Sequence, residues 1–268
     1  MQIASNGIRI YVDERGSEGL PLVFLHYWGG SSRTWDHVTA ILSESHRTFS
    51  IDHRGWGQSE APLSGYALTD LAADAEGVIE ALNLRDYVLV GHSMGGKVAQ
   101  LMASRRPQGL AGLVLVAPSP PQPMRMPTEA REMMAQAYSS REAVEATIDK
   151  VLTAKPLPAA DREQVIEDSL RGAPQAKAAW PSATSLEDIS DKVTTITAPT
   201  LVVAGELDRV DSVDLLKAEL LTRVPHAVLH VLPGTGHLSM LETPRTLARI
   251  IANFANSLST ATPASVEP

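Results

Sequence analysis

Apolar positions in this 268-residue chain fall into short runs, spaced by segments of helical period. Gln2-Ile3-Ala4 and Ile8 to Val12 flank Asn6-Gly7, a dipeptide that favours a two-residue hairpin. A second turn lies between Gly16 and Gly19. Pro21 to Leu25 is continuously apolar, as in a strand covered on both faces. A glycine-rich loop, His26 to Ser32, leads to a short helix near Trp35 to Leu42. Arg47 to Ile51 reads as the next strand, Asp52 to Ser59 as a tight loop, and Leu68 to Leu82 as an amphipathic helix. Tyr87 to Val90 and Leu113 to Ala117 read as buried strands around a helix that follows Gly96.

The pattern changes at Pro118. Pro118 to Pro127 contains five prolines and two methionines, which rules out a helix and reads as a hinge. Thr128 to about Ala154 and Asp161 to about Leu170 have helical period, and Pro174 to Ser182, around Trp180, reads as a break. Strand pattern returns at Pro199 to Gly205. Leu215 to Leu221 reads as a helix, Ala227 to Leu232 as a last strand and Pro244 to Phe254 as a last helix. The expected organisation is a core in two parts, residues 1–117 and 186–256. Between them lies a helical cap, 118–185, and after them a Ser/Thr/Ala/Pro-rich mobile tail, 257–268. Strands alternating with helices predict an α/β fold with a mostly parallel sheet, whose site lies at the carboxyl ends of the strands.

Composition narrows the chemistry. Net charge is −8, with no basic run, which argues against nucleic acid as a partner. The absence of cysteine excludes disulfides, thiolate metal sites and cysteine nucleophiles. With no signal-peptide pattern and no apolar run near the ~20 residues of a membrane helix, a soluble cytoplasmic protein is expected.

Three loops carry candidate chemistry. Gly91-His92-Ser93-Met94-Gly95-Gly96 stands between a strand and a helix, the context of a nucleophile elbow. Glycine at each crowded position lets the turn close and holds the Ser93 hydroxyl out at a helix N-terminus. A serine at neutral pH needs a base. Of eight histidines, His237 lies in a glycine-rich loop after the last strand. His92 should point into the structure, His26 should pack in its loop, and His226 and His230 should face solvent or the sheet edge. The base needs an acid, and Asp208 directly follows a core strand; Asp211 and Asp214 are alternatives nearer the next helix. No carboxylate follows Ala117 before Glu129. Oxyanion donors are expected from the Met94 backbone N–H and from the loop Tyr27-Trp28-Gly29-Gly30.

These residues resemble the α/β-hydrolase family over nearly the whole chain. The resemblance rests on the elbow, on Asp52-x-Arg54-Gly55-x-Gly57-x-Ser59, on Gly205-x-x-Asp208 and on Gly236-His237-x-x-x-x-Glu242-x-Pro244. The order Ser93, Asp208, His237 is also that family's. It implies a Ser-His-Asp triad, a second oxyanion N–H from Trp28, and structural roles for Arg54 and Glu242. Ser93 disfavours the branches with an aspartate nucleophile. Two positions depart from the pattern: Tyr27 replaces the usual glycine after His26, and Gly29 stands where perhydrolase-like members often carry proline. The Tyr27 phenol either packs under its loop, the favoured reading, or donates to the oxyanion.

The expected activity is hydrolysis of small or medium apolar esters or lactones through an acyl-enzyme, with no metal or organic cofactor implied. Perhydrolysis, C–C bond hydrolysis and a non-turnover receptor for a small ligand are the alternatives on the same fold. Tyr27, Met124, Met126, Met133, Met134, Tyr138, Trp180 and Leu238 are candidates to line the pocket, where methionine suits varied apolar shapes.

Overall fold

The computed structural model describes residues 1–259. Asn6 and Gly7 both take positive φ, 48° and 79°, and close a hairpin between β1 (Gln2–Ser5) and β2 (Ile8–Arg15). The chain continues through β3 (Leu22–Leu25), a 3₁₀ turn (Ser32–Trp35), α1 (Asp36–Leu42), β4 (Thr48–Ile51), α2 (Leu68–Ala81), β5 (Tyr87–His92), α3 (Met94–Ser104) and β6 (Leu110–Val116). Four helices then intervene: α4 (Thr128–Gln136), α5 (Arg141–Thr147), α6 (Ala159–Arg171) and α7 (Pro174–Ser182). The last part holds α8 (Ser190–Val193), β7 (Thr200–Gly205), α9 (Val213–Leu216), β8 (Val228–Leu232), α10 (Ser239–Glu242) and α11 (Pro244–Ser259).

The eight strands form one sheet in the order β1-β2-β4-β3-β5-β6-β7-β8. Only β1–β2 and β2–β4 pair antiparallel. Every residue of β3, β4, β5 and β7 is buried, as expected for parallel strands covered by helices on both faces. The fold is therefore the expected α/β architecture with a helical cap between β6 and β7. No helix among the described residues is long and apolar enough to cross a membrane.

Four local readings need correction. Pro174 to Ser182 is helix, not a break. Pro174 occupies the first turn, where a missing N–H costs nothing. Pro181 lies in the last turn and leaves the Lys177 carbonyl, four residues back, without its helical donor; the Trp28 indole N–H takes it over at 3.1 Å. Thr128 to Ala154 is two helices, because the Ser140 hydroxyl caps a new start by accepting from Ala143 N at 3.2 Å. The helix before β8 starts at Val213, with Ser212 as its cap. Lastly, α11 runs through Ser257 to Ser259, so the predicted tail does not begin at 257; its remainder, 260–268, lies outside the described residues.

Candidate active site

β5 ends in the elbow. Ser93 takes φ 51° and ψ −114°, a strained backbone for a non-glycine residue, directly before α3. The turn is too tight for side chains on either flank. A Cβ on Gly91 would lie 2.4 Å from the Gly95 carbonyl oxygen, and one on Gly95 would lie 2.6 Å from the carbonyl oxygens of Leu25 and His26. The Ser93 hydroxyl makes no hydrogen bond among the described residues, and the residue lines a cavity of about 1180 Å³. Met94 opens α3, so its N–H belongs to the first turn, whose donors have no intrahelical partner.

The loops after β7 and β8 meet in the same cavity. His237 Nδ1–H donates to Asp208 Oδ2 at 2.8 Å, with both side chains buried. That bond fixes the tautomer and leaves Nε2 as the free nitrogen. Burial works to lower the His237 pKa. The charge and hydrogen bond of Asp208, helped by Asp211 and Glu242, outweigh it, and the net direction is upward from 6.5. Asp208 Oδ1 is also occupied, accepting the N–H groups of Val210 (2.8 Å) and Asp211 (3.1 Å). The histidine loop is held by its backbone: His237 N and Leu238 N donate to Leu152 O at 3.0 and 3.1 Å. The Glu242 carboxylate accepts from Gly236 N and Ala154 N, each at 3.0 Å. Glu242 thus ties the middle of the cap, before α6, to this loop.

The loop after β3 is set by His26. Its Nε2 accepts the His53 N–H at 3.0 Å, which leaves Nδ1–H to donate to the Tyr27 carbonyl at 2.7 Å. Burial pushes this imidazole down to about 4, so it stays neutral. Gly30 N also donates to Tyr27 O, at 3.1 Å, closing a tight turn in which Gly29 takes φ 102°. The Trp28 N–H makes no hydrogen bond among the described residues. From the cap, Tyr138 donates to Trp28 O (2.7 Å) and Ser169 to Gly29 O (3.0 Å). The Tyr27 ring lies under Gly30, where an added Cβ would come within 2.6 Å of it, and packs 5.2 Å from the His92 ring. Burial raises its phenol well above the ordinary range, slightly offset by the nearby Ser169 hydroxyl.

Tyr27, Trp28, Met124, Met126, Met133, Met134, Tyr138 and Trp180 all line the cavity with Ser93 and His237. Leu238 does not: its side chain is fully buried in the core, and it is corrected from a pocket to a packing residue. Met94 is buried and its side chain is not part of the cavity lining. His92 does point inward, donating Nε2–H to His237 O at 3.0 Å, and His226 and His230 are exposed. Asp214 is exposed and pairs with Lys217 at 3.6 Å instead.

One buried group escaped the reading of the sequence, and another was read only as an alternative acid. Lys97, in the elbow helix, donates to Gln122 O (2.8 Å) and Ser185 O (3.4 Å), joining both ends of the cap to α3. Burial pushes its amine down to about 8. Asp211 lines the cavity itself. Only its nearness to Asp208 signalled it. No cluster of three or more His, Cys, Asp or Glu that could hold a metal ion occurs among the described residues.

The model of the "Alpha/beta hydrolase family" matches residues 22–250. A non-heme haloperoxidase of Rhodococcus erythropolis is 32% identical over 250 residues, covering 87% of this chain and 91% of that protein. Among solved structures, Est816, described as an N-acyl homoserine lactone degrading enzyme, is 29% identical, with TM-score 0.81 over 95% of this chain and 100% of its own. The esterase EaEST from Exiguobacterium antarcticum superposes with TM-score 0.88 at 24% identity, covering 95% and 98% of the two chains, a likeness of fold.

Proposed function

The chain belongs to the alpha/beta hydrolase family, and on that premise we propose a serine hydrolase of small to medium apolar carboxylic esters or lactones. Ser93 attacks the carbonyl carbon while His237 Nε2 takes its proton. The N–H groups of Met94 and Trp28 hold the oxyanion. As the tetrahedral intermediate collapses, His237 returns the proton to the leaving alkoxide, and the acyl group stays on Ser93. Water then repeats the sequence and frees the acid. Asp208 keeps the proton of His237 on Nδ1 and stabilises the imidazolium. The cap, residues 118–185, supplies the apolar wall.

The observation that carries this reading is the buried 2.8 Å bond between His237 and Asp208, opening into the same cavity as a strained, unbonded Ser93. The test is a panel of p-nitrophenyl esters of rising chain length beside a panel of lactones, run with Ser93→Ala. Turnover by the parent, and loss of both turnover and fluorophosphonate labelling in the folded variant, are expected. Normal labelling of Ser93→Ala would place the nucleophile elsewhere.

The Rhodococcus relative favours a second reading, perhydrolysis, in which peroxide replaces water at the acyl-enzyme. Gly29 after Trp28 weighs against it as the main activity. Peroxide-dependent halogenation in acetate, faster than ester hydrolysis, would make this reading the first.

A further inference from the structure

Asp208 and Asp211 stand on one turn after β7, yet their surroundings differ. Both oxygens of Asp208 are occupied, by His237 and by two backbone N–H groups. Asp211 gives its own N–H to that carboxylate, and the residue lines the cavity shared by Ser93 and His237. It is 1% exposed, and neither of its carboxyl oxygens has a hydrogen-bond partner among the described residues. Native structures seldom leave such a group unpaired, because its desolvation goes uncompensated.

None of the cations that line the cavity, Arg125, Lys150, Arg209 and Arg223, bonds the Asp211 carboxyl, and neither does Lys97 nearby. Arg209 donates to Lys150 O at 3.0 Å, Arg223 is bonded to Glu219, and Lys97 is committed to two carbonyls. Burial holds the Asp211 carboxyl well above the usual carboxylate range, against the pull of His237 and with the push of Asp208. A neutral carboxylic acid offers one O–H donor and acceptor oxygens together. Much of the cavity wall, Met124, Met134, Leu152 and Trp180 included, is apolar, and the carboxyl is a polar group set into that wall. A pocket of that form orients a ligand by its few polar groups.

We propose that Asp211 recognises substrate, its carboxyl hydrogen-bonding an uncharged carbonyl or hydroxyl that the ester or lactone carries away from the scissile bond. This rests on the hydrolase reading above. An anionic group there would face the Asp208 carboxylate, and a cationic one would need a second buried charge. A neutral polar substituent satisfies the orphaned acid without either.

The test uses matched esters: p-nitrophenyl pentanoate against its 4-oxo analogue, and butyl butyrate against 2-oxobutyl butyrate. The parent should prefer at least one oxo ester over its alkyl partner. Asp211→Val should reduce that ratio of kcat/KM at least tenfold, while Asp211→Asn, which keeps a donor and an acceptor, should largely retain it. In a Ser93→Ala background, calorimetric Kd values for the same pairs should show the same ordering without turnover. Absence of hydrolysis in the parent would thus overturn the hydrolase reading while the binding ratios still decide this one. Asp211→Val should also unfold no earlier than the parent, since it removes an unpaired buried group. An unchanged ratio, no preference for either oxo ester, or a lowered Tm in Asp211→Val would each overturn the assignment.

Discussion

The imidazole of His26 donates to the carbonyl of Tyr27 over 2.7 Å, and the same peptide carries the N–H of Trp28. In a trans peptide these two groups point in opposite directions. By gripping the oxygen, His26 therefore aims the N–H proposed to meet the oxyanion. His53 N–H fixes the imidazole from behind. His26→Ala should lower kcat by at least tenfold, within the bound of about 10²–10³ for a lost oxyanion donor. The check is kcat for p-nitrophenyl butyrate at a temperature where circular dichroism shows the variant folded. An unchanged kcat would mean that the turn holds itself.

Asp208→Asn should reduce kcat by a factor on the order of 10⁴, because an amide donating to Nδ1 selects the wrong tautomer. Asp214→Asn, at an exposed side chain, should stay near the parent. Steady-state rates on one simple ester decide between them, and a larger loss at Asp214 would reverse the assignment.

The pH profile follows from the direction of the His237 shift. The base works only when neutral, and its pKa lies above 6.5 because Asp208 outweighs burial. Activity should therefore climb with pH, with its midpoint above 6.5. In Asp208→Asn the opposing charge is gone and burial remains, so the residual activity should have a lower midpoint. The profile of kcat/KM from pH 5 to 9 reads both. A flat profile would exclude a histidine base.

Tyr27→Phe should change kcat less than about tenfold. The ring fills the space under Gly30 and beside His92, and its hydroxyl lies by Ser169 of the cap. Tyr27→Gly removes that filling and should alter which acyl groups are accepted. A hundredfold fall in Tyr27→Phe at unchanged KM and Tm would instead make the phenol an oxyanion donor.

Arg54 and Asp74 form a buried, two-bond ion pair, with side chains 5% and 2% exposed. Removing one partner strands the other, so Asp74→Ala should lose about 3–5 kcal/mol of unfolding free energy. Urea denaturation measures this, and a loss under 1 kcal/mol would show that the guanidinium finds another partner.

Sequence reading located the loops of the candidate site because each follows an apolar run that makes a strand, with glycine where the backbone is crowded. Ser93, Asp208 and His237 are legible for that reason. What it missed depends on contacts distant in sequence. Pro174 and Pro181 read as breakers, yet the first sits where helices accept proline and the second hands the Lys177 carbonyl to Trp28. Leu238 follows a site residue but is turned into the core. The solitude of Asp211 is visible only once every neighbour has been seen to bond elsewhere. His26 resembled a packing residue, and only the two bonds to its ring reveal that it sets a peptide plane.

The cap's hold on the loops of the candidate site has a consequence for biosynthesis. Tyr138 reaches Trp28 across 110 positions of sequence, and the Leu152 carbonyl seats His237 and Leu238. A ribosome delivers the Ser93 elbow well before either Tyr138 or His237. The sheet around the elbow can assemble from neighbouring segments, but the loops reach working geometry only when the later helices arrive. The nascent chain therefore carries Ser93 before the histidine loop and the cap exist, so under the proposed function any activity of the serine waits on the later part of the chain.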